Sequence, residues 1–250
     1  MSILLIDFET TGLDPSKDRI VEVGAKVVDE GWSEIDHLSA ICYDKSYPNI
    51  SPDITRLTGI TQELVDERGV FIDAVVDVLH EMCGDHGVTH SIAFNSVFDQ
   101  GFYNAECERQ KRMVLTAKWL CAMTDIESNY QFKSWKLMHL ALEYGVTVNP
   151  KELHRAINDV ELMRQTILAS GATIQSMENF RNIPWIVIRA LIPAPWEDGG
   201  KGKTLAQGLG YSWETPKGSD VKIEKAWVKR IKAHQLDNEV KQAPFKVRQV

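Results

Sequence analysis

Asp7 and Glu9 sit two apart in the run Ile-Leu-Leu-Ile-Asp-Phe-Glu of residues 3–9. An apolar start of that kind predicts a buried strand, and the two-residue period of a strand puts both carboxylates on one face. Like charges held that close repel, which raises a pKa or demands a cation between them. Taken alone, the pair reads more readily as a strand edge with two solvated acids. Asp99 closes the segment Phe94-Asn95-Ser96-Val97-Phe98-Asp99, which follows a predicted strand and opens a predicted helix. With Ser96 as the expected N-cap, Asp99 takes the third helical position, where the helix dipole favours a carboxylate. The third cluster is His154-Arg155-Ala156-Ile157-Asn158-Asp159. On one continuous helix, five residues leave two side chains about 140° apart. His154 and Asp159 converge only if the histidine lies in the preceding loop and the aspartate on the helix. The Pro150 region leaves room for such a loop.

Together, Asp7, Glu9, Asp99 and Asp159 make an all-oxygen cation site, with His154 as a base beside it. Oxygen donors suit Mg²⁺ or Mn²⁺ rather than zinc. Two such ions can activate water and stabilise both oxygens of an in-line displacement at phosphorus. Histidine is the side chain best suited to take the proton from that water near neutral pH.

These residues need a scaffold. Strands are predicted at 3–8, 20–28, 35–43, 88–94 and 113–120, and helices after Thr61 and at 71–83, 97–110, 134–144 and about 155–169. The short Glu30-Gly31 connection implies antiparallel pairing of the second and third strands. The pattern is α/β: a mixed five-stranded sheet flanked by helices over residues 1–170. Residues 171–198, with three prolines, read as a linker or packing arm. Residues 199–250 suit a small basic α+β module with a short helix, a hairpin carrying Trp213 and Trp227, and a strand at 245–247. A unit that small needs support from the body or a partner.

Charge divides the same way. Residues 199–250 hold 11 Lys and Arg against 5 Asp and Glu, a net of +6; the remaining 17 and 30 give residues 1–198 a net of −13. An acidic body either holds cations or is a solvated surface, and a basic tail suits a polyanion. No stretch approaches 18 apolar residues, which argues against a membrane-spanning helix. The start Met-Ser-Ile-Leu-Leu-Ile-Asp lacks the basic region of a signal peptide. Cys42, Cys83, Cys107 and Cys121 are widely spaced, unlike a zinc ribbon or a secreted disulfide framework. A cytoplasmic location is expected.

The motifs Asp7-Phe8-Glu9-Thr10-Thr11-Gly12-Leu13, Phe98-Asp99 and His154-Arg155-Ala156-x-x-Asp159 resemble the three exonuclease motifs of the DEDDh 3′→5′ exonucleases, the DnaQ-like superfamily with an RNase H-like fold. Leu57-Thr58-Gly59-Ile60-Thr61 resembles that family's Thr-Gly-Ile loop. One departure is Phe94-Asn95, where many members have His-Asn; that position is not a ligand. The resemblance implies two divalent metals on the four acids, with His154 as general base. It also implies that Thr10 and Leu13 meet the 3′-terminal nucleotide, with Leu57 and Ile60 near the terminal base. Plain turn formation and packing explain Thr10 and Leu13 equally well, and Leu57 and Ile60 could simply be buried.

The tail motifs Leu205-Ala206-x-x-Leu209-Gly210-Tyr211-x-Trp213, Lys225-Ala226-Trp227 and Pro244-Phe245-Lys246-Val247 are similar to a C-terminal module of exonuclease X-like proteins, and Trp119-Leu120-Cys121-x-Met123 leans the same way. Lys222, Lys225, Lys229, Arg230 and Lys232 beside aromatics fit a single-strand track, with Lys225, Lys229 and Arg230 expected on phosphates. The resemblance implies 3′→5′ hydrolysis of nucleic acid, single-stranded DNA 3′ ends foremost, releasing nucleoside 5′-monophosphates. RNA trimming and a non-catalytic, polymerase-associated binding module are the alternatives.

Overall fold

The computed structural model describes residues 1–44, 46–47, 49–127, 136–150, 153–215 and 225–250. Its elements run β1 (Ser2–Thr10), β2 (Ile20–Val28), β3 (Glu34–Tyr43), α1 (Pro52–Thr58), α2 (Gln62–Arg68), β4 (Val70–Phe71), α3 (Ile72–Asp85), β5 (Val88–Ala93), α4 (Ser96–Arg109), β6 (Lys118–Cys121), α5 (Ala122–Asp125), α6 (Leu137–Glu143) and α7 (Ala156–Ser170). Then follow α8 (Ile174–Asn182), β7 (Trp185–Ala190), α9 (Lys201–Gly208), β8 (Ser212–Glu214), β9 (Ala226–Lys232), α10 (Leu236–Gln242) and β10 (Val247–Gln249). The described residues up to Glu178 form one compact unit, and Asn179–Val250 a second. Among the described residues, no helix is long and apolar enough to cross a membrane.

The first unit holds a mixed sheet in the order β4-β3-β2-β1-β5-β6. β1 pairs antiparallel with β2 and parallel with β5, and β2 pairs antiparallel with β3 as the short connection implies. Six strands stand where five were expected, because Val70–Phe71 adds a two-residue parallel partner to β3. The fifth expected strand, 113–120, forms only as Lys118–Cys121.

Alternation along β1 builds two cores. Leu4, Ile6 and Phe8 pack with Val75, Leu79, Phe102 and Tyr103 of α3 and α4. Ile3 and Leu5 pack with Val160, Met163 and Ile167 of α7. Asp7 and Glu9 continue the second row, so the strand period aims them toward the α7 side. All four cysteines are buried and unpaired.

The second unit is an antiparallel sheet in the order β10-β7-β9-β8. Its core joins Ile188, Ala206, Tyr211, Trp227 and Ile231. The segment expected as a linker therefore carries α8 and β7, and β7 is an inner strand paired on both sides. The sheet amortises three prolines by keeping them outside β7, at 184, 193 and 195.

Candidate active site

The catalytic candidates come from the end of β1, the first turn of α4 and the loop into α7. α7 begins at Ala156, with Arg155 as its N-cap. His154 precedes the cap with a left-handed backbone (φ 62°), so it leaves the helical path that would have carried it away from Asp159. Its N–H donates to Asp159 Oδ2 at 3.3 Å. Glu9, His154 and Asp159 each offer a ligand atom, all within 4.8 Å of one another. His154 is exposed, while Glu9 and Asp159 are half-buried.

Asp99 is nearly inaccessible, at 3% exposure. It is the fourth helical residue rather than the third, because Asn95 is the N-cap and Ser96 is the first residue of α4. Burial pushes its carboxyl up to about 7, although hydrogen bonding from the backbone of Asp99 itself and of Phe8 pulls the other way. That contact with Phe8 ties the start of α4 to β1 between the paired acids. Asp7 is raised well above the ordinary carboxylate range, first by burial and then by the charges of Asp99, Asp159 and Glu9. Burial and the charges of Asp159, Glu22 and Asp99 raise Glu9 to about 8, with Arg155 opposing. Asp159 is raised by burial, against a lowering influence of His154. Four acids packed this closely cannot all ionise cheaply without positive charge.

Two oxygens show what kind of partner would fit. Asp99 Oδ1 and Asp159 Oδ1 are buried with no hydrogen-bond partner among the described residues. An unsatisfied buried carboxylate oxygen is costly. An all-carboxylate donor set with two such oxygens suits hard divalent cations.

Two residues that the motifs leave without a role organise the site. Glu22 lies opposite Glu9 in the β1–β2 register and is 1% exposed. Its Oε1 accepts from Arg155 Nε at 3.0 Å and Nη2 at 2.7 Å, and its Oε2 accepts the Ala156 N–H at 3.1 Å. A carboxylate from β2 thus satisfies an N–H at the start of α7, which has no side-chain cap of its own. Gly24, opposite Asp7, leaves the space against which that helix start packs. The signal in the sequence was an acid and a glycine inside a strand that is apolar apart from Lys26.

The turn after β1 is organised by Asp18. Its carboxylate accepts from Thr11 Oγ1 at 3.2 Å and from the Asp14 N–H at 2.8 Å, and Gly12 lies against it. Thr10 is buried, and its hydroxyl donates to the Gly12 carbonyl at 2.6 Å. Leu13 protrudes at 84% exposure, and Leu57 is also exposed. Ile60 corrects the expectation of a base contact. It is fully buried with Val21, Ile41 and Val65, because the loop after α1 turns it inward.

The expected phosphate contacts of the tail divide. Lys225 and Arg230 are exposed, and Arg230 lies over the Trp185 ring at 5.2 Å. Lys229 corrects the expectation. Strand alternation turns it toward Glu239, which it contacts at 2.8 Å, with both side chains largely buried. Lys232 is 1% exposed and donates to the carbonyls of Arg181 and Ile183. Lys222 lies outside the described residues.

A family model described as exonuclease matches residues 4–165. The DNA polymerase III subunit epsilon of Treponema pallidum is 30% identical over 159 residues, 62% of this chain and 70% of that protein. The DNA polymerase III PolC-type of Thermotoga petrophila is 27% identical over 167 residues, 67% of this chain but only 12% of that relative's length. Among solved structures, E. coli exonuclease I in complex with a dA16 oligonucleotide has a TM-score of 0.66 at 15% identity, covering 98% of this chain and 68% of that one. The nuclease domain of 3′hExo, a DEDDh family member bound to rAMP, has a TM-score of 0.57 at 18% identity, covering 67% and 90%. The architecture shared with these structures is the RNase H-like mixed α/β fold.

Proposed function

The chain belongs to the exonuclease family, and from that premise we propose that it hydrolyses the terminal phosphodiester bond at the 3′ end of a nucleic-acid strand, releasing nucleoside 5′-monophosphates. One observation carries the reading. Carboxylates of β1 and α7 meet beside one exposed histidine, with Asp99 of α4 buried close enough for its charge to raise Asp7 and Glu9, and two buried oxygens of Asp99 and Asp159 lack a hydrogen-bond partner among the described residues. The family is divalent-metal dependent. In this reading Asp7, Glu9, Asp99 and Asp159 hold two Mg²⁺ or Mn²⁺ ions. Bound there, such ions supply Lewis acidity toward phosphoryl oxygens and lower the pKa of water.

The chain's own residues do the rest. His154 takes the proton of the attacking water, and its exposed position lets it return that proton to solvent. The left-handed backbone at His154 and the Glu22–Arg155 pair fix where that base stands. The Asp18-organised turn presents Leu13 to the terminal nucleotide, where an apolar side chain flanks the base. Leu57 serves the same surface, and Thr10 supports it by holding the turn.

DNA is the proposed substrate, supported by relatives named as subunits or forms of DNA polymerase III. The test is Mn²⁺-dependent release of mononucleotides from 3′-labelled strands, run in parallel on single- and double-stranded DNA and RNA of matched sequence. Absence of release from all four substrates would sink the proposal. Faster release from RNA would replace DNA with RNA in it.

A further inference from the structure

The second unit holds a cleft of about 430 Å³ that the proposed chemistry does not use. It is lined by Arg189, Trp213, Lys225 and Trp227, together with residues 190–193 and Ala226. The charged side chains lining it are a guanidinium and an ammonium, both donors. Trp227 has already spent its N–H on the Pro193 carbonyl at 2.9 Å. Trp213 Nε1 is buried and finds no acceptor among the described residues. Arg189 and Lys225 form no ion pair among the described residues, unlike Lys229 of the same sheet. Two nearby acids are committed elsewhere: Glu197 accepts the Ala194 N–H and Asp198 the Gly202 N–H. Glu214 is exposed on β8 and does not line the cleft.

The aromatic walls continue outward. Trp213 meets Trp227 edge-on at 5.4 Å and Trp196 at 5.6 Å. Trp196 is 74% exposed, an indole face left in water. A ligand that satisfies this cleft needs acceptor or anionic groups for the donors and a flat face for the indoles. Its volume is that of a small-molecule site.

We propose that this cleft binds a nucleoside phosphate, the phosphate on Arg189 and Lys225 and the base against the Trp196–Trp213 wall. The same chemistry comes from a nucleotide within a strand or from a free mononucleotide. The inference borrows from the proposed activity only the class of molecule, and its test requires no turnover.

Tryptophan fluorescence of the full chain is titrated in excess chelator with dAMP, deoxyadenosine, inorganic phosphate and a dA oligonucleotide. Saturable quenching by dAMP or the oligonucleotide is expected. Tighter binding of the oligonucleotide assigns the site to a strand, and tighter binding of dAMP assigns it to free nucleotide. Arg189→Gln and Lys225→Gln should each weaken binding about tenfold, the loss of one charge-assisted hydrogen bond. Asp7→Asn, in the first unit, should leave the quenching unchanged, which separates this site from the candidate active site. Trp196→Ala, at an exposed position, should remove the preference for dAMP over inorganic phosphate. No quenching by dAMP or the oligonucleotide overturns the proposal. So does quenching that survives both polar substitutions, or inorganic phosphate binding as tightly as dAMP to the unaltered chain.

Discussion

Replacing Gly24 with alanine tests how closely the proposed catalytic geometry depends on β2. A Cβ at that position would stand 2.2 Å from the carbonyl carbon of Ala156 and 2.3 Å from the nitrogen of Ile157. Both are backbone atoms of the first turn of α7, so no flexible side chain can yield. Ordinary contact begins near 3.4 Å, and the helix start must retreat by about 1 Å. Val160, Met163 and Ile167 hold the same helix on Ile3 and Leu5, which resists a rigid shift. Overpacking of this kind costs about 1–3 kcal/mol. It outweighs the roughly 0.4–1 kcal/mol that glycine-to-alanine gains by restricting the unfolded chain. His154 and Asp159 flank the displaced turn. A misplacement of about 1 Å costs on the order of 10²-fold in rate. The assay is kcat and KM on a short 3′-labelled DNA strand, with a thermal melt beside it. Gly84→Ala serves as the control, because a Cβ there meets nothing within 4 Å and the position lies inside α3. Gly84→Ala should raise the melting temperature and leave kcat alone. Wild-type kcat and melting temperature in Gly24→Ala would refute the reasoning.

His154→Ala should lower kcat by about 10²–10⁴-fold, the range of a lost general base. Calorimetric Mn²⁺ binding should persist in that variant, and a rate within tenfold of wild type would remove the histidine from the mechanism. Without divalent metal the protein should lose stability as pH rises. Glu9 at about 8 and Asp99 at about 7 hold their protons more tightly folded than unfolded, so their favourable contribution is present near pH 4 and fades toward pH 8. Melting temperatures across that range, with and without Mn²⁺, check the sign; a metal-free profile rising with pH would contradict it. Arg155→Ala leaves the buried Glu22 carboxylate with the Ala156 N–H but without its ion-pair partner and should cost about 1–3 kcal/mol. Denaturant unfolding measures that loss, and a change under 1 kcal/mol would mean that the pair contributes little.

The paired acids of β1 were legible because a strand's period is short enough to read directly. Helix geometry made a loop position the condition for His154 to reach Asp159, since no continuous helix brings the two together, and the structure places it ahead of α7. Glu22 was not legible in the same way. Its partner Arg155 lies 133 positions away, and a contact across that distance leaves no local pattern. For Ile60 a base contact and burial both stood open, because a loop motif does not tell which side chain faces inward, and the structure buries it. The basic residues of β9 were read as a cluster, whereas alternation sends Lys229 to Glu239 and leaves Arg230 outside. β7 was hidden by the prolines around it. Its six residues match a strand, but both pairing partners come much later in the chain.

That order of appearance has a consequence for synthesis. Trp-Ile-Val-Ile-Arg-Ala of β7 is made before either neighbour, Ala226–Lys232 or Val247–Gln249. At about 5–20 residues per second, the strand waits for seconds with both hydrogen-bonding edges open. A short, β-branched, aromatic segment in that state is a template for intermolecular pairing. A chain cut after β7 but before β9 would keep the strand and lose both partners, so soluble expression of the first unit alone favours a boundary ahead of Trp185.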